Sequence, residues 1–183
     1  IQTTPLQLCL MTAQIANGGY KIKPKIIVND DPLSLENAKT AMELQSLQTP
    51  NTKLFNDPKN IKIVQEAMFS STNEQFGTSY RSRIDDPKYQ FAGKTGTAQV
   101  KRISKREREL DLKLEQIPYK DRDHALYVAY GPYKNPRYAL SIIVEHGGSG
   151  SKAAAPMAKE LFKLIIDRDE LRDKQSNFEN INI

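Results

Sequence analysis

The sequence predicts an α+β domain, an antiparallel sheet flanked by helices. Three observations predict it. Helical patterns beginning at Thr4 and at Asn60 come before the strand signals of the sheet. Three strand-like runs follow, Ala92–Val100, Ala125–Tyr130 and Tyr138–Glu145, the last two separated by Gly131-Pro132-Tyr133-Lys134-Asn135-Pro136-Arg137, a hairpin connection. A helical repeat from about Lys152 to Arg168 then closes the layout.

Taken in order, Thr4 is an N-cap, Pro5 suits the first helical position and Gln7 completes a capping box. Leu6, Cys9, Leu10, Ala13 and Ala16 recur at helical spacing, and Gly18-Gly19 stops the helix. Tyr20 to Val28 reads as a short strand or an extended arm. Residues 30–56 are polar and weakly periodic, with some helix expected around 35–47. Asn60 is placed to cap a helix whose Ile61, Val64, Ala67 and Met68 face the core. In the closing helix, capped by Ser151, the expected buried stripe is Ala154, Met157, Ala158, Leu161 and Ile165. Residues 169–183 are charged and Asn-rich, and a frayed polar tail is expected there.

Whole-chain properties narrow the function. The 183 residues suffice for one domain with a real core, and a 38% hydrophobic share with mean hydropathy −0.61 marks a water-facing segment. No apolar run approaches the roughly 18 residues of a membrane helix. Ile1-Gln2-Thr3-Thr4 is neither a signal peptide nor a natural start, so a piece of a longer protein is expected. The lone Cys9 reads as a buried structural thiol. The net charge of +5 invites a nucleic-acid partner, but the densest basic stretch (Lys101, Arg102, Lys105, Arg106, Arg108) is broken by Glu107, Glu109 and Asp111 and holds no aromatic for base stacking. It reads as a solvated charged loop or helix, and no nucleic acid is expected. One cysteine and two widely spaced histidines, His124 and His146, support neither a metal nor a cofactor, and His124 reads as a strand-edge residue.

The chemistry concentrates at Lys94-Thr95-Gly96-Thr97. A lysine supplies charge, two threonine hydroxyls supply hydrogen bonds, and the intervening glycine lets a substrate lie against the backbone. Gly93-Lys94-Thr95 also spells the end of a P-loop, but position 88 is Lys88 rather than glycine and Ala98-Gln99-Val100 continue as a strand. K-T-G of this form is one of three signatures of penicillin-recognising serine acyltransferases, beside S-x-x-K and S-x-N.

The surrounding residues carry the signal further. Phe91-Ala92-Gly93-Lys94-Thr95-Gly96-Thr97-Ala98-Gln99 resembles the third-motif strand of class B penicillin-binding proteins. Thr4-Pro5-Leu6-Gln7-Leu8 with Ala16-Asn17-Gly18-Gly19 resembles the preceding helix, and Tyr127–Pro132 with Ala139–Gly148 resembles the following hairpin. Ala154-Ala155-Pro156-Met157-Ala158 opens a last helix like theirs. The resemblance covers residues 1–168, with divergent stretches at about 30–60 and 101–123, and is strongest to the penicillin-binding protein 2 branch.

That resemblance implies an incomplete, serine β-lactamase-like transpeptidase domain, with helices at both ends on one sheet face and an apolar patch left exposed on the other. It implies that the parent is a serine-type peptidoglycan D,D-transpeptidase, cross-linking stem peptides during cell elongation and acylated by β-lactams. Such a parent sits at the periplasmic face of the bacterial inner membrane, held by an N-terminal anchor outside this chain, and works with the cell-elongation machinery. Carried over, Lys94 gives positive potential for the terminal carboxylate of a D-Ala-D-Ala stem peptide or a β-lactam, and Thr95 and Thr97 hydrogen-bond it. The Thr97 backbone N–H is one oxyanion-hole donor, Gly96 lets the acyl chain run antiparallel to the strand, and Ala98 and Gln99 flank it.

The other two signatures occur only as imitations. Ser149-Gly150-Ser151-Lys152 spells S-x-x-K, but it follows K-T-G and lies in a glycine-rich turn. Ser71-Thr72-Asn73 spells S-x-N but lies close before the K-T-G strand. Neither is taken as catalytic, so the nucleophile is expected outside the chain and the segment alone is expected to be inert. The alternative is a non-catalytic penicillin-binding-like docking module.

Overall fold

The computed structural model describes residues 2–24, 52–102 and 112–181, with side chains as far as Leu171. The helix expected around 35–47, residues 30–51 of the first divergent stretch and residues 103–111 of the second lie outside the described residues. Helix α1 spans Pro5–Ala16 and begins with the expected capping box: Thr4 accepts from the Gln7 N–H and Gln7 accepts from the Thr4 N–H. It ends at Asn17, after which Gly18 and Gly19 take positive φ of 87° and 90°, and the Gly19 N–H returns to the Gln14 carbonyl. Cys9, Leu10, Ala13 and Ala16 are half-buried along the inward side, and Cys9 Sγ donates to the Ala139 carbonyl at 3.4 Å. Leu6 is exposed and Thr12 is fully buried, its hydroxyl satisfied by the Leu8 carbonyl.

Helix α2, Pro58–Asn73, is capped by Asp57 rather than Asn60, because the Asp57 carboxylate accepts from the Lys59 N–H and Pro58 fills the first helical position. Ile61, Met68 and Thr72 are its buried residues, while Val64 and Ala67 face solvent. Gln65 binds the Ile15 and Ala16 carbonyls and so ties α2 to the end of α1.

The sheet has order β1-β2-β3, with β1 Ala92–Ala98, β2 His124–Gly131 and β3 Tyr138–Val144, all antiparallel. Strand β1 stops at Ala98, two residues short of the expected end, because its register partner His124 is the first residue of β2. The central strand sorts the core by its alternation. Ala125, Tyr127 and Ala129 pack with Ala155, Ala158, Phe162 and Ile166 of the last helix, whereas Val128 and Tyr130 pack with Ile15, Ala16 and Met68. The terminal helices therefore lie on opposite faces of the sheet, not on one, and the exposed large apolar residues include Ile63, Met157 and Leu164 on helices, Ile143 on β3 and Phe76.

Gly150–Ala154 form a single π-helical turn that opens helix α3, Ala155–Ile181. Ser149 occupies the cap position and Ser151 does not, and the Ser149 hydroxyl bonds the Ser151 hydroxyl at 3.0 Å. The buried stripe runs Ala155, Ala158, Phe162, Ile166 and Asp169 in place of Met157, Leu161 and Ile165. Phe162 sets this phase by stacking on Phe91 with ring centres 4.9 Å apart. Where a frayed tail was expected after Arg168, the helix continues, and buried Asp169 meets Arg137 at 3.1 Å.

A second tie joins α3 to the loop before β1. Lys88 contacts Asp167 and Glu170 at 3.3 and 2.8 Å, and the Tyr89 hydroxyl donates to Asp167. That hydroxyl, with Lys88, holds the Asp167 carboxyl below its ordinary value. A lowered carboxyl contributes stability that is present at neutral pH and is lost as pH falls through the folded value. Chemical unfolding at neutral pH and at pH about 3 is expected to show a smaller acid loss in Tyr89→Phe than in the wild type. An unchanged acid loss overturns this assignment.

Candidate functional site

Strand β1 is an edge strand among the described residues, and its outer edge is divided into two halves. The first half is filled. The Gly93 N–H donates to Thr72 Oγ1 at 3.1 Å, and Asn73 Nδ2 donates to the Phe91 carbonyl at 2.9 Å. Strand alternation then sends the N–H groups of Thr95 and Thr97 toward the same outer edge. There the residues are Lys94 and Thr97, both exposed, and half-buried Thr95 and Gly96. The described half of the strand that carries the motif is thus open, with two backbone donors, two hydroxyls and one ammonium group.

A buried hydroxyl cluster sets the height of that edge. Thr72, Ser79 and Tyr127 meet with Thr72 Oγ1 to Tyr127 Oη at 2.9 Å, Ser79 Oγ to Tyr127 Oη at 3.1 Å and Thr72 Oγ1 to Ser79 Oγ at 3.3 Å. Ser79 Oγ also donates to the Ser71 carbonyl. Burial pushes the Tyr127 phenol up, so it stays a proton donor at physiological pH. Gly93 exists to admit this ring: a Cβ there would lie 2.3 Å from Tyr127 Oη. From the other direction, Gly150 of the π turn abuts Gly96, and a Cβ on Gly150 would lie 2.3 Å from the Leu126 carbonyl oxygen and 2.7 Å from that of Gly96.

The exposed polar groups form a second line. Ser71 Oγ, Thr78 Oγ1 and Thr95 Oγ1 follow one another at 3.2 Å each, and Lys94 Nζ lies 3.0 Å from the Thr95 carbonyl and 3.5 Å from Thr95 Oγ1. Sequence reasoning found Lys94, Thr95, Gly96 and Thr97 and missed Thr72, Thr78, Ser79 and Tyr127, which reach the strand through contacts 17 to 55 residues apart in the chain. Ala98 and Gln99 are exposed at and just beyond the strand end.

The imitation motifs occupy different places. Ser71-Thr72-Asn73 ends α2 and fastens the start of β1 through Thr72 and Asn73. Ser149 and Lys152 flank and enter the π turn behind Gly96. The two histidines, distant in sequence, are brought together by the β2–β3 pairing: the His146 N–H donates to His124 Nδ1 at 2.9 Å, and His146 Nδ1 meets the Arg122 carbonyl. His124 lies inside β2, one residue earlier than the expected strand start. Among the described residues no group of three His, Cys, Asp or Glu is placed to hold a metal, and no helix is long and apolar enough to cross a membrane.

A model of the penicillin binding protein transpeptidase domain matches residues 1–163. The chain belongs to that family. Peptidoglycan D,D-transpeptidase MrdA of Salmonella typhimurium is 32% identical over 166 residues, covering 90% of this chain and 25% of its own length. The protein of the same name from Acinetobacter baumannii is 36% identical over 167 residues, covering 87% of this chain and 22% of its own length. The chain thus spans about a quarter of these transpeptidases. Among solved structures, Pseudomonas aeruginosa PBP2 in complex with WCK 5153 superposes with a TM-score of 0.60 at 31% identity, over 89% of this chain and 30% of that one. PBP2 of Helicobacter pylori, in a complex with MreC, gives a TM-score of 0.62 at 29% identity, over 88% and 25%. The α+β arrangement of helices around an antiparallel sheet is therefore the fold of this transpeptidase family, and the resemblance to the penicillin-binding protein 2 branch holds along most of the chain.

Proposed function

We propose that this chain is the C-terminal part of a serine-type peptidoglycan D,D-transpeptidase of the elongation type, and that it supplies the substrate-holding strand while the nucleophilic serine and its lysine lie elsewhere in the parent. The observation that carries this reading is the open half of β1, where Lys94, Thr95 and Thr97 converge on one unpaired edge. Lys94 and the Thr95 and Thr97 hydroxyls hold the terminal carboxylate of a D-Ala-D-Ala stem peptide or of a β-lactam. The acyl segment adds to the sheet alongside Gly96 as an extra antiparallel strand. When the serine oxygen adds to the carbonyl carbon, the carbonyl oxygen takes the negative charge and the Thr97 N–H donates to it. Such a donor typically contributes about two to three orders of magnitude in rate. The carbonyl–nitrogen bond then breaks and the nitrogen takes the proton the serine gave up, so that the terminal D-Ala departs, or the opened β-lactam stays attached through its former ring, and an acyl-serine remains.

Family membership and the transpeptidase names of the relatives support the parent activity, and the MreC complex of the Helicobacter relative supports an elongation-machinery partner. A periplasmic setting and an N-terminal membrane anchor follow from the same reading. Intact mass after incubation with benzylpenicillin tests it: the full-length gene product gains one penicilloyl adduct and the 183-residue chain gains none. An adduct on Ser149 or Ser71 overturns the placement of the nucleophile.

A further inference from the structure

We propose that Thr78 is a positioning residue for the anion site, setting the direction of the Thr95 O–H through the hydrogen bond between their hydroxyls. The proposal rests on the reading of Lys94 and Thr95 as a carboxylate grip. A threonine hydroxyl has one proton and two acceptor sites, and an ammonium group only donates. Lys94 Nζ, 3.5 Å from Thr95 Oγ1, therefore uses one of the acceptor sites. Thr78 Oγ1, at 3.2 Å, takes the other when its own proton points to Thr95. Ser71 Oγ, 3.2 Å behind Thr78, completes the row, and in the proposed arrangement each hydroxyl donates forward. With both acceptor sites of Thr95 occupied, its proton is left for the incoming anion. A row polarised toward an anion strengthens its last donor.

Thr78 is held where this requires. A Cβ on the preceding Gly77 would lie 2.3 Å from the Ser71 carbonyl oxygen, so the loop presses directly on the end of α2. The Gly77 N–H donates to the Glu74 carbonyl, and the following Ser79 is fixed by its N–H to the Ser71 carbonyl and by the buried Tyr127 phenol. The backbone on both sides is immobilised while the Thr78 side chain stays exposed. That is the arrangement of a side chain kept for its hydroxyl and not for its packing.

The test compares Thr78→Val, which keeps the shape and loses the hydroxyl, with Thr78→Ser, which keeps the hydroxyl. Both are made in the full-length gene product and read by the second-order rate of acylation by benzylpenicillin and by melting temperature. Thr78→Val is expected to acylate about 10-fold more slowly, the loss of one hydrogen bond, with an unchanged melting temperature, while Thr78→Ser stays within about twofold of wild type. Wild-type rates in Thr78→Val, or an equal loss in Thr78→Ser, overturn the proposal. A Thr78→Val rate that falls only together with its melting temperature also counts against it. A wild-type protein that is not acylated at all overturns the transpeptidase reading, and the positioning role with it.

Discussion

Lys94→Ala in the full-length gene product is expected to slow acylation by benzylpenicillin about 100-fold, since a hydrogen bond to a charged partner is worth about 1.5–3 kcal/mol and each 1.4 kcal/mol is tenfold. The Lys94 ammonium is exposed on the open edge of β1 and lies 3.0 Å from the Thr95 carbonyl. In the proposed grip it therefore supplies charge to the ligand and also steadies Thr95, whose hydroxyl would share that ligand. Lys94→Arg is expected to recover only part of the rate, because a planar guanidinium cannot place a point charge in the same spot. Stopped-flow or competition labelling with a fluorescent penicillin reads both variants. Unchanged labelling of Lys94→Ala removes this residue from the carboxylate grip.

The largest stability effect is expected one residue earlier. Gly93→Ala places a methyl group 2.3 Å from Tyr127 Oη and 2.5 Å from Cζ, and Tyr127 is fully buried with its hydroxyl held by Thr72 and Ser79. The ring cannot yield without breaking those bonds. Overpacking together with lost buried hydrogen bonds is expected to cost about 3 kcal/mol, lowering the melting temperature by about 10 °C. At Gly96, the glycine of the motif itself, an added Cβ meets only Leu126 Cβ at 3.3 Å. Gly96→Ala is therefore expected to leave stability within about 1 kcal/mol of wild type while impairing ligand approach. Thermal unfolding and acylation of the two variants should rank them in opposite orders. A Gly93→Ala variant as stable as wild type would show that the hydroxyl cluster yields easily.

How much of this was legible in the sequence follows from the range of each interaction. The cap at Thr4 and the stop at Gly18-Gly19 depend on neighbours within five residues, and they form as the sequence predicts. The hairpin is legible for the same reason, since its apolar runs and turn residues are local. The Lys94–Thr97 run was legible as chemistry because its residue types are contiguous. Its supports were not. Thr72 sat inside an apparent S-x-N, and nothing near it indicates that its hydroxyl caps a strand N–H 21 residues away. The phase of α3 was misjudged because that helix is apolar on more than one side, and only the stacking of Phe162 on Phe91 selects the buried side. The apparently polar tail continues the helix, and its first residues are anchored by Asp169 and Glu170, which meet Arg137 and Lys88 across the fold.

An edge kept unpaired for a ligand is equally open to any other extended chain. Among the described residues, the half of β1 from Thr95 onward presents donors and acceptors that a second molecule's strand would satisfy as well as the proposed stem peptide would, the ordinary beginning of aggregation at a sheet edge. Its sequence works against that outcome. Gly96 lowers strand propensity in mid-strand, and Lys94 places a charge beside the edge that two stacked copies would bring face to face. Under the proposed function, the lysine that grips the carboxylate is thus also a guard against self-pairing. Its loss should be visible as concentration-dependent light scattering even in a protein that is never offered a substrate.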